Sequence, residues 1–138
     1  MELTLNWKEK LSFEGTSQEG HKILISNDRD ENNDRKGFSP LYLLALGLGA
    51  CSSMDVISIL QKKQQIVDDF EIKINYGQRD EAPRVWETAN VEYIVTGKNV
   101  DPEALERSIQ ISIEKYCAAH AMLSQAVDIT TSFQIIES

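Results

Sequence analysis

The stretch Ser39-Pro40-Leu41-Tyr42-Leu43-Leu44-Ala45-Leu46-Gly47-Leu48-Gly49-Ala50-Cys51 decides the fold of this 138-residue chain. Serine is a favoured N-cap and proline suits the first helical position, so the sequence predicts a helix that begins at Ser39-Pro40. Apolar residues then cover every face for three turns, which is typical of a helix buried on all sides. We expect the helix to run to about Gln65. One small subunit has trouble enclosing such a helix, so the pattern favours a homodimer.

The residues before this helix predict a small sheet. Residues 3–14 and 22–26 carry alternating apolar and polar side chains, and the segment Gly15 to Gly20 between them turns the chain. We therefore expect three short strands in a meander. Asn27 to Gly37 is charged and lacks apolar residues. It is predicted to be an exposed, mobile loop.

Two further strands follow the first helix. Phe70 to Tyr76 alternates cleanly, Gly77 to Arg84 reads as a loop, and Val85 to Thr96 alternates again. Asp101-Pro102-Glu103 then supplies a cap, a first-turn proline and an acid at the positive end of a second helix.

The C-terminal part completes the predicted order. We expect a break or kink between Tyr116 and Ala119, then a short third helix through Ala126, and a last strand from Asp128 to Ile136. Three strands, a helix, two strands, two helices and a strand predict a single α+β domain over residues 1–138.

Composition excludes several function classes. The chain is 41% hydrophobic and 26% charged with a net charge of −8, and it has no cluster of Lys and Arg, so nucleic acid is not an expected partner. Glycine, serine and Asp55 dilute the apolar helix, which indicates a core helix rather than a membrane span. The N-terminus lacks the pattern of a signal peptide, so we expect a cytoplasmic protein without a permanent disulfide. No phosphate-binding glycine loop occurs, and no cofactor is predicted.

The two cysteines are the candidate chemistry. Cys51 closes the apolar helical run, and Cys117 lies in the helical segment Glu114–Leu123. Two thiols on two core helices could form a redox couple. They could equally be inert core residues, because free cysteine is among the most buried residue types.

Two further polar residues lie near the cysteines in sequence. Asp55 follows Cys51 by four positions, on the same helix face, and is either an acid in a thiol pocket or an ordinary helix acid. His120 follows Cys117 by three and could donate to a thiolate or be a core histidine with a backbone partner. The four side chains could ligate a metal. No paired motif such as C-x-x-C occurs, so no metal is predicted.

Four motifs, at this spacing and over nearly the whole chain, resemble a known family. They are Ser39-Pro40 with an apolar helix ending Gly49-Ala50-Cys51-Ser52-Ser53-Met54-Asp55-Val56, Ala82-Pro83-Arg84-Val85-Trp86, Asp101-Pro102-Glu103, and Glu114-Lys115-Tyr116-Cys117 followed by Ala121-Met122-Leu123. The family is OsmC/Ohr, the thiol-dependent proteins of osmotic induction and organic hydroperoxide resistance. The resemblance implies an intertwined α+β homodimer in which the two cysteine-bearing helices pack centrally.

The resemblance also implies a reaction. Cys51 would be the peroxidatic thiol that attacks an organic hydroperoxide, Cys117 would resolve it to a disulfide, and an external dithiol would recycle the pair. Attack requires a thiolate, so the pKa of Cys51 must fall below the free value of about 8.5. The sulfenic acid must then meet the second thiol before further oxidation.

The chain departs from the family pattern at two places. Hydroperoxide reductases carry a glutamate after the proline, where this chain has Leu41, and an arginine in the N-terminal hairpin, where Leu11 to Gly15 has none. Burial without a cation raises the pKa of a thiol. Arg35 and Arg84 are therefore predicted as substitute cations. The alternative is a binding module of the same fold that holds a small apolar ligand, an acyl or thiol compound, with unreactive cysteines.

Overall fold

The computed structural model describes all 138 residues, and its element order is the one that the sequence predicts. The elements are β1 (Thr4–Glu9), β2 (Ser12–Thr16), β3 (Lys22–Ser26), α1 (Pro40–Lys62), β4 (Ile66–Gln78), β5 (Trp86–Lys98), α2 (Pro102–Ile111), a π-helical turn (Ser112–Tyr116), α3 (Ala118–Leu123) and β6 (Asp128–Glu137). The α+β class is confirmed. The chain divides into two compact units, Met1–Leu44 and Ala45–Ser138, and the single domain stays a prediction.

The first unit is the predicted meander. β1 pairs with β2 and β2 with β3, both antiparallel. The segment after β3 is exposed for most of its length and folds on itself through a bridge between Arg29 and Arg35. Its predicted mobility stays a prediction. Every residue of β1 is exposed, which leaves its two apolar side chains, Leu5 and Trp7, uncovered within one chain.

The second unit is built on the sheet β4-β5-β6. β5 is central: it pairs antiparallel with β4 and parallel with β6. A parallel pair needs a long crossover, and α2, the π-helical turn and α3 supply it. Because β5 has a neighbour on each side, its side chains form much of the core, and Val91, Tyr93 and Val95 are at most 1% exposed.

The predicted C-terminal ends of α1 and α3 need correction. α1 stops at Lys62 rather than at about Gln65, because Gln64 adopts a left-handed φ of 60° that breaks the helical run. The break before Ala119 is confirmed, but α3 ends at Leu123 rather than Ala126. The remaining residues to Val127 form turns whose N–H groups still donate to helix carbonyls.

α1 covers the sheet of the second unit with one face only. Its buried residues are Ala45, Leu48, Gly49, Ser52, Ser53, Val56 and Leu60. Leu44, Leu46 and Met54 stay 46–69% exposed. By length and composition alone α1 could cross a membrane, but the core helix of a soluble protein passes the same test. The exposed apolar face is one that a further surface must cover.

Gly49 marks the closest approach of α1 to the sheet and gives a stability prediction. A Cβ there would lie 2.7 Å from Ile74 Cδ1, whereas a Cβ at Gly47 meets nothing within 4 Å. Alanine gains about 1 kcal/mol of helix propensity at either site. We expect Gly47→Ala to stabilise by up to about 1 kcal/mol, and Gly49→Ala to destabilise by about 1 kcal/mol because overpacking outweighs that gain. Urea unfolding measures both, and equal effects would contradict the close packing.

Candidate redox site

The π-helical turn sets the position of Cys117. The Cys117 N–H donates to the Ser112 carbonyl at 2.7 Å, which closes the wider turn. Cys117 itself leaves the helical region, with φ −76° and ψ 97°, and α3 starts after it. Such turns occur frequently at functional sites because they rotate the following side chain out of the α-helical register.

The structure brings the two cysteine side chains together. The thiols of Cys51 and Cys117 are near enough for Cys51 to raise the pKa of Cys117, and neither is in a disulfide. Cys117 is 2% exposed, whereas Cys51 is only half-buried. The candidate pair is therefore asymmetric: Cys51 is partly exposed to solvent and Cys117 is almost completely enclosed.

Burial dominates the acidity of the inner thiol. The pKa of Cys117 is raised from 9.0 to about 11, with burial as the largest cause and the neighbouring Cys51 and Asp55 acting in the same direction. The His120 N–H, which donates to Cys117 Sγ at 3.3 Å, lowers the pKa of Cys117, but this effect is smaller than that of burial. Cys117 is consequently a protonated thiol at neutral pH.

A buried polar network joins the two cysteine-bearing segments. Ser112 Oγ donates to Asp55 Oδ2 at 2.9 Å and lies 3.3 Å from Ser52 Oγ. Ser52 is in turn hydrogen-bonded to the Tyr93 hydroxyl. Ser52, Ser112 and Tyr93 are at most 2% exposed, and burial raises the pKa of Tyr93. Buried hydroxyls remain stable only when they are bonded in this way.

Asp55 also reaches solvent on its other side. It lines an open cavity of about 460 Å³, whose other lining residues are Ser58, Ile59, Lys62, Ile111 and Tyr116. No three His, Cys, Asp or Glu side chains are grouped so that they could hold a metal ion. Of the four residues considered as ligands, Asp55 is the carboxylate that acts on the Cys117 thiol.

His120 contacts the site by its backbone. Its N–H is the hydrogen-bond donor to Cys117 Sγ, in the geometry of a helix cap. Burial lowers the pKa of the His120 ring, so the ring is neutral at pH 7. The predicted role of the His120 ring, donation of a hydrogen bond to a thiolate, stays a prediction.

The two candidate arginines lie in different units. In the first unit, Arg35 Nη1 donates to Asn27 Oδ1 at 2.5 Å and its guanidinium lies 5.4 Å above the ring of Tyr42. In the second unit, Arg84 is exposed and its Nε donates to the Arg79 carbonyl at 3.2 Å. The neighbouring Cys51 and Asp55 both raise the pKa of the Cys117 thiol and so disfavour its thiolate. The predicted role of both arginines in activating the Cys51 thiol stays a prediction.

Sequence reasoning missed the hydroxyl members of the site, which are Ser52, Tyr93 and Ser112. One signal could have revealed Ser112. Ser108 and Ser112 lie four residues apart on the face of α2 and its continuation that also carries Leu105 and Ile109, and both serines are fully buried. Two serines on an apolar stripe require partners, and only the fold shows that the second one bonds to Asp55.

Comparison with protein families gives a match over most of the chain. A family model described as OsmC-like protein matches residues 32–132. Protein YhfA of Escherichia coli strain K12 is 40% identical over 136 residues, which are 99% of this chain and 98% of that protein.

Solved structures share the fold. A hypothetical protein from Aquifex aeolicus VF5 is 28% identical with a TM-score of 0.88, covering 99% of this chain and 96% of that one. An OsmC-like protein from Mycoplasma pneumoniae is 18% identical with a TM-score of 0.82, covering 98% and 96%. The organic hydroperoxide resistance protein OhrB of Bacillus subtilis is 18% identical with a TM-score of 0.64, covering 96% of each chain.

Proposed function

Because this chain belongs to the family of OsmC-like proteins, we propose that it is a thiol peroxidase that reduces organic hydroperoxides with Cys51 and Cys117. The observation that carries the proposal is the proximity of the two thiols, since Cys51 acts on the pKa of Cys117. A peroxidatic and a resolving cysteine must meet before the sulfenic acid is oxidised further. The fold shared with organic hydroperoxide resistance proteins supports the substrate class.

The reaction has two steps. The Cys51 thiolate attacks the terminal oxygen of ROOH, the O–O bond breaks, and with one proton the products are ROH and Cys51 sulfenic acid. The Cys117 sulfur then attacks the Cys51 sulfur, a disulfide forms, and the thiol proton leaves with the displaced hydroxide as water. An external dithiol returns the disulfide to two thiols and is itself oxidised to a disulfide.

The asymmetry of the pair assigns the roles. Half-buried Cys51 can meet a peroxide, whereas Cys117 is enclosed and protonated. A protonated thiol is a poor nucleophile, so Cys117 suits the second, intramolecular step, in which its sulfur is already adjacent to its target.

Thiol counting tests the proposal. One equivalent of cumene hydroperoxide per chain should remove both free thiols and lower the mass by two hydrogen atoms, without a sulfinic acid. The same thiol count with hydrogen peroxide at the same concentration compares the extent of thiol loss with the two oxidants. Retention of both thiols after many equivalents of the organic peroxide would rule the reaction out.

The activation of Cys51 gives a prediction about arginine. We expect Arg35→Ala or Arg84→Ala to slow alkylation of Cys51 about tenfold, the equivalent of one pKa unit of thiolate. The measurement is the iodoacetamide rate at Cys51, resolved by peptide mass spectrometry, with Arg29→Ala as a variant of the same loop. If neither substitution changes the rate, these guanidiniums do not activate the thiol.

The protein should act as a cytoplasmic homodimer. The uncovered apolar surfaces include β1 in the first unit and Met54 and Met122 in the second, the latter two about 70% exposed. Apolar surface of this extent normally lies in a subunit interface. Light scattering at micromolar concentration should give twice the 15.6 kDa chain mass. A stable monomer would contradict the dimer.

A second candidate function is a binding module with unreactive cysteines. It is favoured by the raised pKa of Cys117 and by a carboxylate, rather than a cation, beside the thiols. In the first unit an apolar cavity of about 640 Å³ is lined by residues of β1, β2 and β3 and could hold a small apolar ligand. Fatty acyl binding, with both thiols unchanged after peroxide treatment, would establish this function instead.

A further inference from the structure

We propose that the hydrogen bond from Ser112 to Asp55 is the element that holds Cys117 in register with Cys51 for disulfide formation. Ser112 and Asp55 are thus positioning residues of the redox pair. The inference rests on the proposed function only in that the pair is a redox couple; it concerns how two side chains outside the pair set its equilibrium.

Ser112 is bonded in two directions at once. Its carbonyl accepts the Cys117 N–H at 2.7 Å, which fixes the turn that carries the inner thiol. Its hydroxyl donates to Asp55 Oδ2 at 2.9 Å, and Asp55 is one helical turn after Cys51 on α1. The same residue therefore connects the backbone of one cysteine to the helix of the other.

The hydrogen bond from Ser112 to Asp55 lies where its loss would change the position of Cys117. Ser112 is fully buried, so without Asp55 its hydroxyl would keep only the longer contacts with Ser52, at 3.3 and 3.4 Å. Cys117 lies outside helical geometry, between the π-helical turn and the short helix α3, so its position depends on how these two elements are held. Ordering a reactive group before reaction raises its effective concentration toward its partner.

The expected size of the effect follows from the type of bond. A hydroxyl-to-carboxylate hydrogen bond is charge-assisted and is worth about a tenfold change in an equilibrium constant. Loss of the bond should therefore lower the effective concentration of Cys51 toward Cys117 about tenfold. For this two-electron couple that equals a potential about 30 mV less negative.

The experiment equilibrates the full-length protein at pH 7 in mixtures of reduced and oxidised dithiothreitol and measures the fraction of Cys51–Cys117 disulfide. The oxidant is the cyclic disulfide, so no peroxide is needed. Ser112→Ala and Asp55→Ala should each lower the effective concentration about tenfold, and the double variant no further, because both remove one bond. Asp55→Asn keeps a neutral acceptor oxygen and should restore part of the loss, because a hydrogen bond to an uncharged acceptor is weaker than a charge-assisted one.

Ser108→Ala is the matched control. Ser108 is also fully buried on α2, and its hydroxyl donates to the Ala104 carbonyl at 2.6 Å rather than to the other helix. Its substitution should leave the disulfide equilibrium unchanged. Unfolding in urea, measured for all variants, separates a general loss of stability from a loss of register.

The outcomes separate the two proposals. An unchanged equilibrium in Ser112→Ala and Asp55→Ala overturns the positioning role, even if peroxide oxidises the pair. An equal loss in Asp55→Asn and Asp55→Ala would show that charge, not the hydrogen bond, acts, and also overturns it. If cumene hydroperoxide leaves the thiols intact while the predicted pattern appears in the dithiothreitol buffer, the peroxidase proposal fails and the positioning role stands.

Discussion

Cys51→Ser should reduce the rate of organic hydroperoxide reduction to that of the uncatalysed reaction. A hydroxyl at this position cannot attack the O–O bond, because the nucleophile in the proposed reaction is a thiolate. Cys117 cannot replace it, since that sulfur is 2% exposed and its pKa is raised to about 11. The measurement is peroxide consumption with dithiothreitol as the recycling dithiol.

Cys117→Ser is the matched variant and should fail in a different way. Cys51 should still reduce one equivalent of hydroperoxide, because the attacking thiol is intact, and stop as a sulfenic acid that dimedone traps. With excess peroxide the trapped product should give way to the sulfinic acid, since no second thiol intercepts it. The wild-type chain should show neither product at stoichiometric peroxide.

Equal peroxide consumption by Cys51→Ser and the wild-type chain would remove Cys51 from the reaction. A dimedone adduct on Cys117 in the wild-type chain would reverse the two assigned roles. Both outcomes are distinguishable from misfolding, because far-ultraviolet circular dichroism and urea unfolding report on the fold independently of the thiols.

The elements of the fold could be predicted because each has a local chemical signal. The pair Ser39-Pro40 marks the start of the long helix, and α1 begins at Pro40. Asp101 caps α2, with its side chain accepting the Glu103 N–H at 3.0 Å. Helix ends were predicted less well, since the end of α1 depends on the left-handed backbone of Gln64, a residue without strong preference for it.

The residues that make up the site are brought together by tertiary contacts, which no local sequence pattern predicts. Cys51 and Cys117 are predicted to lie together only through the family resemblance, and in the structure Cys51 is near enough to raise the pKa of Cys117. Tyr93 lies in a strand whose alternation predicts burial, but not that its hydroxyl would bond to Ser52 across 41 positions of sequence. Predicting such a bond requires knowing which helix packs on which strand.

The π-helical turn shows the same limit. The sequence predicts an interruption near Tyr116, and the structure shows that a wider turn over Ser112–Tyr116 produces it. That turn places Cys117 as the cap of α3, with its sulfur accepting the His120 N–H. Its geometry depends on Ser112, whose bond to α1 comes from tertiary packing.

The acidity of Cys117 gives the second large expected effect. With its pKa at about 11 instead of 9.0, the native thiol at pH 8 should hold about a hundredfold less thiolate than the same residue in the unfolded chain. Only the thiolate is alkylated at an appreciable rate. We therefore expect iodoacetamide to modify Cys117 at least about a hundredfold more slowly in the native protein, as measured by peptide mass spectrometry, and enclosure should slow it further.

The same shift predicts a loss of stability at alkaline pH. Below pH 9 both the folded and the unfolded thiol keep their proton, so the contribution is constant. Between pH 9 and 11 the unfolded chain releases the proton and the folded chain retains it, so stability falls as pH rises, by about 3 kcal/mol at most. Cys117→Ser should remove most of this slope in urea unfolding, while Cys51→Ser keeps much of it, because burial is the largest cause. A Cys117 that titrates at or below 9 in the native protein would mean that the inner thiol is already activated, and the division into an attacking and a resolving cysteine would lose its physical basis.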